Sequence, residues 1–255
     1  MTLSVNDIRI EFAGLVALDD VSFTVDTGSV TSLIGPNGAG KTTLVNIITG
    51  ILRPTAGDVR FEGHSVIGLS TSAIARRGIR RTFQTVRLFP SLSVLENLQL
   101  AQYSRIGSLR SLLPASALSS GDNERCAELL SMFKLYESRN AEASRLSYGD
   151  QRRVEIARAL AGNPRLVLLD EPAAGMNERE TDQLRSDIAL IRESGVTVFL
   201  IEHDMSLVLS VSDKVVVLDF GRKIAEGPPA EVKVNPEVIA SYLGAMPDTT
   251  EAIHA

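Results

Sequence analysis

The sequence predicts an α/β protein: a mostly parallel sheet, preceded by an antiparallel β region and interrupted by a block of helices. Three observations predict it. In the last third, the apolar runs RLVLLD, VTVFLIE and KVVVLD alternate with helical stretches, the pattern of parallel strands buried on both faces. An apolar strand, SVTSLIG, enters a glycine-rich loop that opens directly into the helical stretch KTTLVNIITGI. From about residue 88 to 163 strand candidates give way to helical periodicity.

Taken in order, SVNDIRIEF, VSFTVD and SVTSLIG read as strands separated by turn residues. GDVRFEGHSV reads as a further strand with turns, TSAIARRG as a helix and GIRRTFQ as a short strand leading out of it. The helical block holds SVLENLQLAQY, NERCAELLSMFKLY and LSYGDQRRVEIARAL, with GSLRSLLPASALSSGD between the first two as a loop or short irregular helix. Beyond Pro164, helices are expected over NERETDQLRSDIALIRESG and MSLVLSVS. A hairpin-like return from GRKIAEG and two short helices complete the chain.

Composition narrows the function classes. The 255 residues, 44% of them hydrophobic, suffice for one large domain or two small ones with an ample core. A net charge of -5 argues against a nucleic-acid partner. The single cysteine, Cys126, cannot form an intrachain disulfide or a zinc cluster and is expected to be buried, which places the chain in a reducing compartment. The start, MTLSVNDIRIEF, lacks the basic-then-apolar pattern of a secretory signal. No run approaches the roughly 18 to 20 apolar residues that span a bilayer. Work at a membrane would require another subunit to do the spanning.

The stretch GPNGAGKTT fits the phosphate-loop pattern GxxxxGK[ST] in its strand–loop–helix context. Gly35, Pro36, Asn37, Gly38, Ala39 and Gly40 would turn backbone N–H groups onto phosphate oxygens at a helix start. Lys41 would bridge the β- and γ-phosphates, and Thr42, followed by Thr43, would offer a hydroxyl to Mg²⁺. ATP with Mg²⁺ is therefore the expected cofactor.

A second centre is RLVLLDEP. Active groups of a parallel sheet gather at the carboxyl ends of its strands, so Asp170 and Glu171 would lie near the loop if their strand neighbours the loop's strand. Alone, such an acidic pair reads as a turn or helix cap. Beside a phosphate loop, Asp170 suits Mg²⁺, and Glu171, facing the other way, suits a general base for water. His203 ends another apolar strand, where a histidine is ordinarily a strand-end residue; as neutral imidazole it could hydrogen-bond the γ-phosphate. Gln84 could hold Mg²⁺ or water through its amide oxygen.

LSYGDQRRVEIARAL is a second anion-ready helix start. As a simple cap, Ser147 would close the helix while Arg152, Arg153 and Arg158 face solvent.

The order GPNGAGKTT, Gln84, LSYGDQ, LVLLDEP, His203 resembles the ATP-binding subunits of ABC transporters over essentially the whole chain. The resemblance implies a P-loop NTPase core, with residues 1–86 as its first part including the β subdomain, 87–163 as a helical subdomain carrying the signature motif, and 164–255 as its second part. It implies that Ser147 and Gly149 touch the γ-phosphate of a nucleotide held by a partner subunit. Phe12 lies where the family stacks an aromatic ring on adenine; otherwise it is a buried strand residue. AAGMN resembles the loop through which two ATP sites communicate, with Asn177 where aspartate is usual. Asp150 stands where glutamine is usual and would favour the helix dipole while weakening binding of the phosphate.

The stretches RTFQTVRLFPSLSVLENL, DEPAAGMN, LIEHDMSLV and NPEVIASYLG, with an insertion between Gln102 and Asn123, are similar to the ATPases of branched-chain amino acid importers. That similarity implies an ATP-hydrolysing subunit on the cytoplasmic face of the inner membrane. Its partners would be a second ATP-binding subunit, as a heterodimer more than a homodimer, two membrane permeases and, indirectly, a periplasmic or extracellular solute-binding protein. A Leu88–Phe89–Pro90 knob either packs on the permease or completes the helical subdomain's core. Importers of urea or amides, and a soluble ABC ATPase not coupled to transport, are the alternatives.

Overall fold

The structure, a computed structural model, describes residues 1–103 and 120–243. Most of the predicted loop between the first two helices of the helical block, and the terminal residues 244–255, lie outside the described residues.

Two long strands, β1 (Leu3–Phe12) and β2 (Leu15–Val25), form an antiparallel pair, and β3 (Val30–Ile34) leads into α1 (Lys41–Ile48). The strands β4 (Ala56–Phe61) and β5 (His64–Ser65) extend the first pair into a four-stranded sheet of order β2-β1-β4-β5. After α2 (Thr71–Arg76) comes β6, which spans only Ile79–Arg81, so Gln84 lies in the loop beyond it and does not end a strand. The helical block is α3 (Val94–Tyr103), α4 (Ser120–Met132) and α5 (Tyr148–Ala161).

The alternation then resumes: β7 (Leu166–Asp170), α6 (Glu178–Glu193), β8 (Thr197–Ile201), α7 (Met205–Val211) and β9 (Lys214–Asp219). A hairpin strand, β10 (Arg222–Gly227), and the helices α8 (Pro229–Lys233) and α9 (Pro236–Leu243) end the described chain. The main sheet has the order β10-β9-β3-β8-β7-β6 and is parallel except for β10.

The carboxylates reach the loop without the strand adjacency that the sequence reading made a condition. The strand carrying Asp170 is not a neighbour of β3, because β8 lies between them. Every parallel strand nonetheless ends on the same edge, so the loop after β3, the carboxylates after β7 and His203 after β8 share one side of the sheet.

The apolar runs feed different cores residue by residue, because successive strand side chains point to opposite faces. Leu166, Leu168, Phe199, Ile201, Val216 and Leu218 join the cluster under the antiparallel sheet, α1 and α2. Val167, Leu169, Val198 and Leu200 join a second cluster with α3 to α6, where Cys126 is also buried. Val215 and Val217 face a third, beneath α8 and α9. Each such side chain, fully buried, stabilises the fold by roughly 1.5–3 kcal/mol.

Candidate active site

The loop after β3 wraps the start of α1. Gly40 stands at the helix N-cap with φ of 99°, a left-handed conformation open to glycine, and no side chain caps the helix. A Cβ on Gly40 would come within 2.9 Å of the Ala17 carbonyl oxygen. Lys41 is buried and donates to the carbonyls of Gly35 at 2.6 Å and Pro36 at 3.0 Å. Burial lowers its pKa, opposed by the nearby negative charges of Glu171 and Asp170. A 460 Å³ cavity lies over the loop, lined by Leu15, Val16, Ala17, Asn37, Gly38, Ala39, Gly40, Lys41, Thr42, Thr43, Glu171 and Phe220.

The two carboxylates after β7 face different partners. Asp170 pairs with Arg81 at 2.7 Å, both nearly buried, and its N–H donates to Thr82 Oγ1. Glu171 has φ of 44°, an unfavourable region for a non-glycine residue and one that often marks functional sites. Its carboxylate lines the cavity and accepts from Gln84 Nε2 at 2.8 Å. His203 Nδ1 lies 4.0 Å from the same oxygen and 3.7 Å from Glu202. Three residues 119 positions apart at their extremes, Gln84, Glu171 and His203, thus converge beside the loop.

Glu202 was not anticipated from the sequence. It is fully buried, and its carboxylate accepts the N–H groups of Ala173 at 2.9 Å and His203 at 3.0 Å, tying the loop after Glu171 to the end of β8. Burial raises its pKa, and the N–H donors oppose the shift. A glutamate just before a strand-end histidine is the only signal the sequence offered.

Ser147 and Gly149 lie in another place. They line a separate groove of 590 Å³ between the starts of α5 and α6, with Asp150, Arg153, Asn177 and Glu180. Ser147 caps α5 by accepting the Asp150 N–H at 3.1 Å. The Gly149 N–H donates to the Glu180 carboxylate at 3.2 Å. Glu180 also forms a capping box with Asn177, which begins α6. Asp150 is paired with Arg153 at 3.1 Å, so part of its charge is offset within the chain by a guanidinium that it shares with Asp187.

The arginines of α5 overturn the expectation of a solvated face. Arg152 is fully buried, donates to the carbonyls of Phe83 and Gln84, and pairs with Glu155 at 2.8 Å. Arg153 pairs with Asp187 at 2.9 Å and donates to the Phe133 carbonyl. Arg158 is partly buried, and that burial lowers its pKa against the influence of Glu155. Phe12 is 45% exposed at the end of β1, so it is not a buried strand residue, and it is outside the lining of the loop cavity. Leu88 packs on the helical core, whereas Phe89 is 52% exposed on a turn braced by buried Asn97, which accepts the Phe89 N–H at 2.9 Å and donates to its carbonyl at 3.1 Å.

A lysine-bearing glycine loop at the centre of a parallel sheet, faced by a glutamate from a nearby strand end, defines a P-loop nucleotide-binding ATPase. The profile of the ABC transporter family matches residues 18–174, and that of the branched-chain amino acid ATP-binding cassette transporter matches residues 222–247. The chain belongs to the ABC transporter family, as an ATP-binding, ATP-hydrolysing member.

Among its relatives is the high-affinity branched-chain amino acid transport ATP-binding protein BraF of Pseudomonas aeruginosa, 45% identical over 95% of this chain and 97% of that protein. The corresponding protein LivG of Escherichia coli is 44% identical over the same shares. The ADP conformation of MJ1267, an ATP-binding cassette of an ABC transporter, superposes with a TM-score of 0.86 at 34% identity, over 95% of this chain and 98% of that one. The dimeric structure of MJ0796, a bacterial ABC transporter cassette, superposes with a TM-score of 0.75 at 27% identity, over 89% and 98%. No helix among the described residues is long and apolar enough to cross a membrane.

Proposed function

We propose that this chain drives import of branched-chain amino acids by hydrolysing ATP on the cytoplasmic face of the inner membrane, as a peripheral subunit. The observation that carries the catalytic part is Glu171: its carboxylate lines the same cavity as Lys41 and Thr42 and is oriented by Gln84 at 2.8 Å. A carboxylate so held can accept the proton of a water attacking the terminal phosphate. Backbone N–H groups of the loop and Lys41 bind and neutralise the phosphates. His203, beside Glu171, would donate to or sense the terminal phosphate. The solute is inferred from the relatives named above, whose identity to this chain extends over nearly its full length.

Among the described residues no group of three or more His, Cys, Asp or Glu could hold a metal by itself. The donor set fits Mg²⁺ that arrives with the nucleotide, since that ion keeps its waters and phosphate oxygens and needs few protein ligands. Thr42, Asp170 and Gln84 would hold it; Gln84 donates to Glu171 through Nε2 and so leaves Oε1 for the ion or its water. The ion would neutralise charge developing on the phosphates.

The groove that holds Ser147 and Gly149 is distinct from the loop cavity, which supports their service to the nucleotide of a second ATP-binding subunit, with a heterodimer favoured. Phe89, exposed on its braced turn, suits contact with one of two membrane permeases, which in turn would receive solute from a binding protein outside. The test is Glu171→Gln in the assembled transporter: ATP affinity should persist while turnover falls by about 10²-fold or more. Undiminished hydrolysis would remove Glu171 from the reaction.

A further inference from the structure

The turn between β9 and β10 consists of Phe220 and Gly221, with φ of 43° and 78°. Positive φ at both positions is the signature of a two-residue type I′ hairpin, whose first position suits asparagine or glycine. Here it holds a phenylalanine that is 90% exposed, the most exposed large apolar side chain among the described residues. The ring therefore occupies an unfavourable backbone conformation with no burial within the chain to offset it.

The turn is held firmly against the phosphate loop. Gly221 N–H donates to the Ala39 carbonyl at 3.1 Å, and its own carbonyl accepts the Asp19 N–H at 2.9 Å. Arg222 pairs with Asp19 at 2.6 Å. A Cβ on Gly221 would meet the Ala17 carbonyl oxygen at 2.5 Å, so the neighbouring residue must be glycine for the turn to sit there. The backbone that presents the ring is thus fixed one residue from a contact with the loop.

The lining of the loop cavity divides by chemistry. Loop amides, Lys41 and Thr42 suit phosphate, whereas Leu15, Val16 and Phe220, exposed by 73%, 38% and 90%, are apolar groups gathered at the same cavity. A triphosphate occupies the first set and leaves a flat heteroaromatic base for the second. We propose that Phe220 contacts the base of the nucleotide and helps to position ATP, a role resting on the ATP reading above.

The test uses ATP and inorganic tripolyphosphate as probes, with affinities measured by calorimetry on the full chain. Phe220→Asn suits the left-handed turn, so its unfolding midpoint without ligand should not fall. Its ATP affinity should drop by about tenfold, with tripolyphosphate affinity unchanged, and Phe220→Tyr should retain ATP affinity. Unchanged ATP affinity in Phe220→Asn overturns the proposal. An equal loss for both probes overturns it too, since the turn would then act through the phosphate loop. A wild-type chain that fails to bind ATP would instead remove the underlying reading.

Discussion

At the start of α1, Gly40 provides no side-chain cap, whereas at the start of α5 Ser147 takes the Asp150 N–H and Glu180 takes the Gly149 N–H. Both are glycine-bearing helix starts with the favourable dipole end exposed. The first achieves its anion preference through backbone shape, down to a left-handed residue at the cap. The second satisfies its amides with oxygen atoms of its own chain. A phosphate arriving there exchanges with Glu180, whereas a phosphate arriving at α1 displaces no side-chain cap.

The largest effect expected is on the anchoring of the second start. Arg152→Met leaves buried Glu155 without the cation that it contacts directly and frees the Phe83 and Gln84 carbonyls, so stability should fall by about 3–5 kcal/mol, read from denaturant midpoints. A loss under 1 kcal/mol would mean that α5 is held by apolar packing alone. Next come the glycines. Gly40→Ala places a Cβ against the Ala17 carbonyl in a left-handed residue and should weaken ATP binding on the order of 100-fold, about 2–3 kcal/mol. Gly149→Ala meets the Glu180 side chain rather than backbone, at a start that lies outside the loop cavity, and its effect on ATP binding in the isolated chain should be negligible. Equal losses would erase the contrast between the two starts.

Glu180→Ala removes the capping box of α6 and should lower stability by about 1 kcal/mol in thermal unfolding. The same variant frees the Gly149 N–H, so ATP-dependent association with a second ATPase subunit should hold or tighten; weakening would show that Glu180 positions α6 rather than competes with phosphate. Smallest is Asp150→Gln. With Asp150 already paired to Arg153 and 39% exposed, steady-state hydrolysis should stay within about twofold of wild type.

The strands and the glycine loop were legible because both are local: period-2 or continuous apolar runs and a nine-residue motif carry their own context. What escaped depended on distant partners. RRVEIAR reads as a polar helix face, yet the groups that bury Arg152 come from carbonyls 68 and 69 residues earlier. The partner of Asp170, Arg81, lies in the three-residue edge strand β6, and nothing in GIRRTFQ distinguishes it from the arginine before it. β8 was legible as a strand, but its place between β3 and β7 is a property of sheet order, which periodicity does not encode. Phe220 was passed over because LDFGRK reads as an ordinary turn.

The division of strand residues between cores bears on how this protein can be taken apart. Val167, Leu169, Val198 and Leu200 belong to the same apolar cluster as the helices α3 to α5, so the main sheet is a wall common to both sides. The helical block is therefore unsuited to excision or transplantation as a cassette of its own. Cutting it out would wet one face of the sheet that carries the nucleotide loop, and a hybrid that exchanges the block would need matching substitutions at alternate positions of β7 and β8.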